Sequence, residues 1–242
     1  MNGKNGMNRE NGVNGEIERE LEEMLRQNGA ALVGFADMTE ATSGEWPSGV
    51  SIAVTIPKEI VRSISDGPNE KYLKTYYELN AKLDELAVAC KEYLQERGYQ
   101  ALAQTVDSVK EFGNYRTWLP HKTVATSAGI GWIGKNALLV TKEYGSAVRI
   151  TSVVTDAPLK TGKAIRESQC GGCMVCTNAC PAGAVSGKLW NSGLDRDEFV
   201  DIEACRSKGR GMVKERLGKE LTLCGICIAA CPYTKRYLCR DV

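Results

Sequence analysis

Long apolar runs are missing from this chain. No segment of its 242 residues approaches the roughly 18–20 consecutive apolar residues that cross a bilayer, so no membrane span is expected. The opening stretch MNGKNGMNRENGVNG is polar and rich in Asn and Gly. It lacks the basic-then-apolar build of a secretory leader, which points to a cytoplasmic protein. Excess charge is missing too: 31 Lys plus Arg stand against 30 Asp plus Glu, a formal charge of +1. That balance gives no broad electrostatic footprint for RNA or an anionic membrane, and an aromatic content of 7% offers no stacking platform for bases. Nucleotide signatures are lacking as well. The stretch GIGWIGKN (129–136) does not have the G-x-x-x-x-G-K-[ST] spacing of a phosphate loop, and no Gly-rich turn directly follows the first expected strand. Histidine is down to one residue, His121, which opens an expected short helix and is assigned a hydrogen-bonding role there.

What the chain does have is sulfur. Ten cysteines, in a chain long enough to bury a core without disulfide staples, point to metal or redox chemistry. Cys170-x2-Cys173-x2-Cys176-x3-Cys180-Pro181 reproduces the bacterial iron–sulfur run, whose fourth cysteine ligates the other cluster. Cys224-x2-Cys227-x3-Cys231-Pro232 has the same ending and lacks its first cysteine. Cys205, with eighteen residues between it and Cys224, is the natural substitute. The assignment closes as Cys170, Cys173, Cys176 and Cys231 on one [4Fe–4S] cluster, and Cys180, Cys205, Cys224 and Cys227 on the other. The prolines help turn the chain into the neighbouring cluster's shell. Two structural zinc sites are the alternative, since C-x2-C pairs also bind zinc. The third cysteine at x2 and the nearly repeated x3-Cys-Pro ending favour two clusters. Cys90 reads as a buried apolar residue and Cys239 as a spare thiol.

Periodicity organises the rest. Residues 1–15 read as a disordered tail, and residues 16–160 as an α/β (α+β) domain. Within it, helices are expected over 16–27, 69–97 and 121–128, and strands over 30–36, 50–56, 101–106, 137–141 and 147–155. Residues 161–242 carry nine of the ten cysteines and form the expected second, ferredoxin-like domain. The basic stretch Arg206 to Lys219 reads as a solvated linker.

The segment Leu119 to Val140 (LPHKTVATSAGIGWIGKNALLV), joined to this cysteine arrangement, resembles the epoxyqueuosine reductase family, itself related to corrinoid-dependent reductive dehalogenases. The resemblance runs from about residue 20 to the end. It implies a nitroreductase-like α/β domain that holds a cobalamin, fed with electrons by the clusters. In Val106-Asp107-Ser108 the aspartate matches the family's proton donor. That role needs a carboxyl whose pKa is raised by an apolar, cofactor-covered pocket; the plainer alternative is a strand-end cap. The resemblance also implicates Trp132, Asn136, Ala137 and Val140 in lining the corrin, with Gly225 and Ile226 bringing the second cluster close to it. Each has a plain alternative: Trp132 as core, the glycines as turn residues, Lys135 as a solvated charge.

Three departures bear on function. After Asp107 the chain continues as KEFGNYRTWLP, an inserted loop that offers Tyr115 as a hydroxyl donor and Arg116 as an anion partner. The chain stops ten residues after Pro232, without the helical-repeat region that helps longer members hold tRNA. No Asp-x-His-x-x-Gly motif surrounds His121, so an axial-ligand role is unsupported. The leading expectation is a cobalamin-dependent reductase acting on a small molecule or a modified nucleoside, with tRNA weakly supported. Its electrons come from a low-potential donor of ferredoxin or flavodoxin type. The alternative is an electron-transfer protein or reductive activator whose α/β domain holds no corrinoid and serves as a docking or flavin-binding platform.

Overall fold

The structure, a computed structural model, describes residues 7–240, with side chains described from residue 15 onward. It packs as two compact units that are not consecutive in sequence. One comprises residues up to Val54 with Lys82–Ile130 and Ile150–Ala164; the other comprises Thr55–Ala81, Gly131–Arg149 and Ile165 onward. The division therefore differs from the two consecutive domains expected on either side of residue 160. Two earlier stretches fold with the cysteine-rich segment because their apolar faces complete its core.

The first unit is built on a four-stranded sheet of order β1-β2-β6-β3, from β1 (Leu32–Asp37), β2 (Ser48–Thr55), β3 (Ala101–Ala103) and β6 (Val148–Thr155). β1 runs antiparallel to β2, with Leu32 opposite Ala53 and Asp37 opposite Ser48. β3 runs antiparallel to β6, with Ala101 opposite Thr155. β2 is buried along nearly its whole length, as expected of a central strand covered on both faces. β3 forms an edge only three residues long, shorter than the expected 101–106, because the chain turns at Thr105. Helix α1 (Met7–Gln27) packs on β1, with Leu21 and Leu25 fully buried. The tail expected over residues 1–15 lies outside the described residues through residue 6. From Met7 the chain is already helical, extending the amphipathic turns that follow at one backbone hydrogen bond per residue. Helix α4 (His121–Ser127) also packs on β1 and buries Val124 beside Met38, Leu119 and Val154.

The second unit holds α2 (Lys58–Ser63), the start of α3 (Glu70–Glu96), the hairpin β4 (Trp132–Ile133) and β5 (Leu139–Val140), and then α5 (Val175–Ala179), α6 (Ile202–Leu217), α7 (Ile226–Ala230) and α8 (Pro232–Cys239). α3 is capped by Asn69, whose side chain accepts from the Tyr72 N–H at 2.9 Å. One core joins Ile56, Ile60, Val61, Ile64, Tyr72 and Ala147 to Val213, Leu223, Ile228 and Ala229. A second joins Trp132, Ala137 and Val140 to Trp190, Phe199, Val200 and Cys231. The stretch read as a basic linker is instead most of α6. Asp201 caps its start by accepting from the Ala204 N–H at 2.9 Å, Gly218 ends it at φ 61°, and Met212 and Val213 are buried on its inner face.

Candidate metal centres

Both cysteine runs fold in the same way. In the first, Cys173 N–H bonds back to Cys170 O at 3.1 Å across Gly171, whose φ of +52° is left-handed. Cys176 then sits on α5, and Cys180 ends that helix with an extended backbone before Pro181. In the second, Gly225 (φ 89°) opens α7, Cys227 lies on the helix, and Cys231 ends it before Pro232 starts α8. Each Cys-Pro pair thus breaks a one-turn helix and redirects the chain. α5 and α7 pack against each other, which sets the two runs side by side. Cys205 reaches this region from the first turn of α6, where its N–H bonds to Asp201 O at 3.1 Å.

The thiols perturb one another in two sets. Burial pushes the Cys176 thiol up to about 11, and Cys170, Cys231 and Cys173 add to the rise. Burial also raises Cys205, with Cys180 and Cys224 adding to it. Cys224 is raised by burial and by Cys180, against the Ile226 N–H, Arg216 and Lys208, which favour its thiolate. Cys227 is raised by burial, then by Cys224, Cys205, Cys176 and Cys180, so the two sets are neighbours. Three cations of α6 therefore act on this centre: Arg206 on Cys205, and Lys208 and Arg216 on Cys224. Among the described residues no three His, Cys, Asp or Glu side chains converge closely enough to hold one metal ion. The sets are electrostatic neighbours rather than sulfurs closed on a single atom. Cys90 is fully buried in α3, and Cys239 is exposed.

GIGWIGKN forms the entry and first strand of the β4–β5 hairpin, with Trp132 opposite Val140 and Ile133 opposite Leu139. Its glycine at 131 answers a close approach, since a Cβ there would lie 2.5 Å from Val140 O. Ala137 sits in the left-handed region at φ 59°. The Asn136 side chain is spent inside the hairpin region, donating to Ser146 Oγ at 3.0 Å and accepting from the Leu138 N–H at 3.2 Å. Trp132, Asn136, Ala137, Val140 and Ile226 are all buried, and a Cβ on Gly225 would meet Ile64 Cδ1 at 2.7 Å. Lys135, read from sequence as a solvated charge, is only 4% exposed.

Asp107 and Tyr115 belong to the other unit. Asp107 is exposed on the turn after β3. Val106 N–H bonds Asp84 Oδ1 at 3.0 Å and Ser108 Oγ donates to Ala103 O at 3.1 Å, so these neighbours pin the turn. Asp107 is thus held on a tight turn of its own unit, with its side chain exposed there. The inserted loop closes as a small hairpin in which Phe112 and Arg116 exchange both backbone hydrogen bonds. Asn114 and Tyr115 form its tip at φ 59° and 54°, a left-handed conformation that asparagine tolerates and that is costly for tyrosine. His121 opens α4 and meets Ser152 Oγ of β6 through Nδ1 at 2.8 Å. The sequence offered no motif for Tyr72. It is buried beside Gly225, and Cys227 and Cys224 help burial raise its phenol, against Arg149.

The family model for a 4Fe-4S double cluster binding domain matches residues 169–234. That stretch holds all eight cysteines assigned above and leaves out Cys90 and Cys239. An epoxyqueuosine reductase from Bacillus cereus is 34% identical over 121 residues, covering 48% of this chain and 30% of the relative. The chain resembles the epoxyqueuosine reductases. Among solved structures, an epoxyqueuosine reductase with an epoxyqueuosine-modified tRNA-Tyr stem loop aligns at TM-score 0.59 and 24% identity, over 91% of this chain and 66% of that one. A reductive dehalogenase described as suggesting a mechanism for B12-dependent dehalogenation aligns at TM-score 0.68 and 17% identity, over 88% and 31%. At these identities the solved structures show a shared fold. The chain spans less than half the length of the curated relatives, 30% for the Bacillus cereus protein. Among the described residues no helix is long and apolar enough to cross a membrane.

Proposed function

We propose that this chain is an iron–sulfur oxidoreductase of the epoxyqueuosine reductase type. The observation that carries the reading is the two neighbouring thiol sets, Cys170/Cys173/Cys176/Cys231 and Cys180/Cys205/Cys224/Cys227. They fit two [4Fe–4S] clusters: the donors are all soft thiolates, each run crosses over at its Cys-Pro pair, and basic side chains of α6 offset charge at the second set. Two such clusters supply single-electron transfer. Asp107 is the proton donor in this reading, and Tyr115 a hydroxyl donor offered by the inserted loop. The substrate class is a modified nucleoside, on the precedent of the solved relative with its tRNA stem loop.

The resemblance carries a cobalamin as electron acceptor. The six residues assigned to it do not build an open cradle by themselves: five are buried in their own unit's core, and Gly225 packs on Ile64. That burial favours a second reading, an electron-transfer protein without its own corrinoid. Anaerobic titration of the cluster-loaded chain with cob(II)alamin separates the two. A saturable base-off signal near one equivalent, followed by reduction of epoxyqueuosine in a stem loop that Asp107→Asn abolishes, supports the reductase. Two intact clusters with no corrinoid signal support the carrier. Full activity of Asp107→Asn with clusters and corrinoid intact removes the proton-donor role.

A further inference from the structure

The hairpin next to the first thiol set holds two polar groups that its own packing leaves unserved. The Trp132 side chain is fully buried, and among the described residues its indole Nε1–H has no hydrogen-bond acceptor. It shares a buried cluster with Cys231 and Cys170 and meets the ring of Tyr233 edge-on at 4.9 Å between centroids. No cysteine sulfur accepts from it. Lys135, three residues on, is 4% exposed, and among the described residues its Nζ hydrogen-bonds to the Sδ of Met174 at 3.4 Å and forms no ion pair. A thioether is a weak acceptor and carries no charge to balance an ammonium. Met174 lies in the sequence between Cys173 and Cys176. A buried unpaired N–H and a buried unpaired cation each carry a desolvation penalty, and native proteins normally relieve both with a partner.

We infer that Trp132 and Lys135 are the polar shell of the cluster held by Cys170, Cys173, Cys176 and Cys231. Trp132 donates its indole N–H to an inorganic sulfide of that cluster, and Lys135 supplies the counter-charge beside it. Both are positioning residues: they set how readily the first cluster accepts an electron, because hydrogen bonds to sulfur and nearby positive charge stabilise the more negative reduced state. Part of GIGWIGKN thereby serves the first cluster rather than a corrin. The inference rests on the reading of these cysteines as cluster ligands.

The test is an anaerobic redox titration, followed by electron paramagnetic resonance, of the full cluster-loaded chain. It compares wild type with Trp132→Phe, Lys135→Met and Lys135→Arg. The couple whose signal changes in Cys173→Ser identifies the first cluster. Trp132→Phe and Lys135→Met should each lower the reduced-to-oxidised ratio of that couple about tenfold at fixed potential, about 59 mV for one electron. Lys135→Arg should restore most of the loss, and the second couple should stay in place. A measurement on unaltered protein removes any dependence on folding of the variants. Chains labelled with 15N in the indole should show nitrogen hyperfine coupling to the reduced first cluster. Intact clusters with an unmoved first couple, or no indole coupling in wild type, overturn the inference. Iron and sulfide analysis that finds no two [4Fe–4S] clusters in wild type overturns the underlying reading instead.

Discussion

Gly145 is the position where a single methyl group should do the most measurable damage. It closes the turn after β5 at φ 59°, exchanging backbone hydrogen bonds with Thr141. A Cβ there would press on the Thr234 backbone nitrogen and lie 2.6 Å from both Thr234 Cα and Oγ1. Thr234 is fully buried on α8, three residues after Cys231, and its Oγ1 accepts from the Ser146 N–H at 3.0 Å. Gly145→Ala therefore combines two costs: about 1–2 kcal/mol for a left-handed alanine and about 1–3 kcal/mol for overpacking against backbone that has no rotamer to yield. Gly218 provides the control. It ends α6 at φ 61° with nothing within 4 Å of its virtual Cβ, so Gly218→Ala carries only the conformational cost. The difference of about 2 kcal/mol should appear in anaerobic thermal unfolding of the cluster-loaded chain as a Tm roughly 4–8 °C lower for Gly145→Ala than for Gly218→Ala. The displaced α8 should also cost the first cluster before the second. Equal Tm values for the two variants would refute the reasoning, since both share the same backbone strain.

Serine scanning should sort the cysteines. Replacing Cys170, Cys173, Cys176 or Cys231 should remove one cluster, replacing Cys180, Cys205, Cys224 or Cys227 the other, and Cys90→Ser or Cys239→Ser neither; iron analysis with electron paramagnetic resonance reads this out. Iodoacetamide at pH 8 should leave Cys90 unmodified in the native chain, because burial raises its thiol and shuts out the reagent, while exposed Cys239 reacts; peptide mapping tells them apart. In the metal-free chain the folded-state rise of Cys176 from 9.0 to about 11 stabilises the fold fully below pH 9. That stability is lost as pH climbs from about 9 through about 11, with Cys205, Cys224 and Cys227 adding in the same direction, so the urea midpoint should fall between pH 8 and pH 10.5. Asp201→Ala should cost about 1 kcal/mol by removing the α6 cap, measured as a lower unfolding midpoint.

The cysteine runs were legible in sequence because converging three sulfurs is a local problem. Spacing sets which residues a tight turn can bring together, and a proline after the last cysteine marks where the chain must leave. Helix α3, the part of α1 from residue 16, and strands β1, β2 and β6 were legible for a similar reason, the helices from apolar residues at helical spacing and the strands from short apolar runs. The basic stretch at 206–219 misled because its charges dominate the pattern, while only Met212, Val213 and Gly209 mark the buried side of α6.

Which stretches pack together was decided elsewhere. Nothing local in 55–81 or 131–149 says that Ile56, Ile64 and Tyr72 will share a core with Val213 and Ile228, or that Trp132 will share one with Cys231. The burial of Lys135 is likewise invisible in a string where lysine ordinarily means solvent. Sequence by itself determined the sulfur ligands on offer and the local elements that carry them, because ligand spacing and periodicity are short-range. Tertiary structure alone decided what surrounds those sulfurs, because burial depends on contacts between residues far apart in the chain.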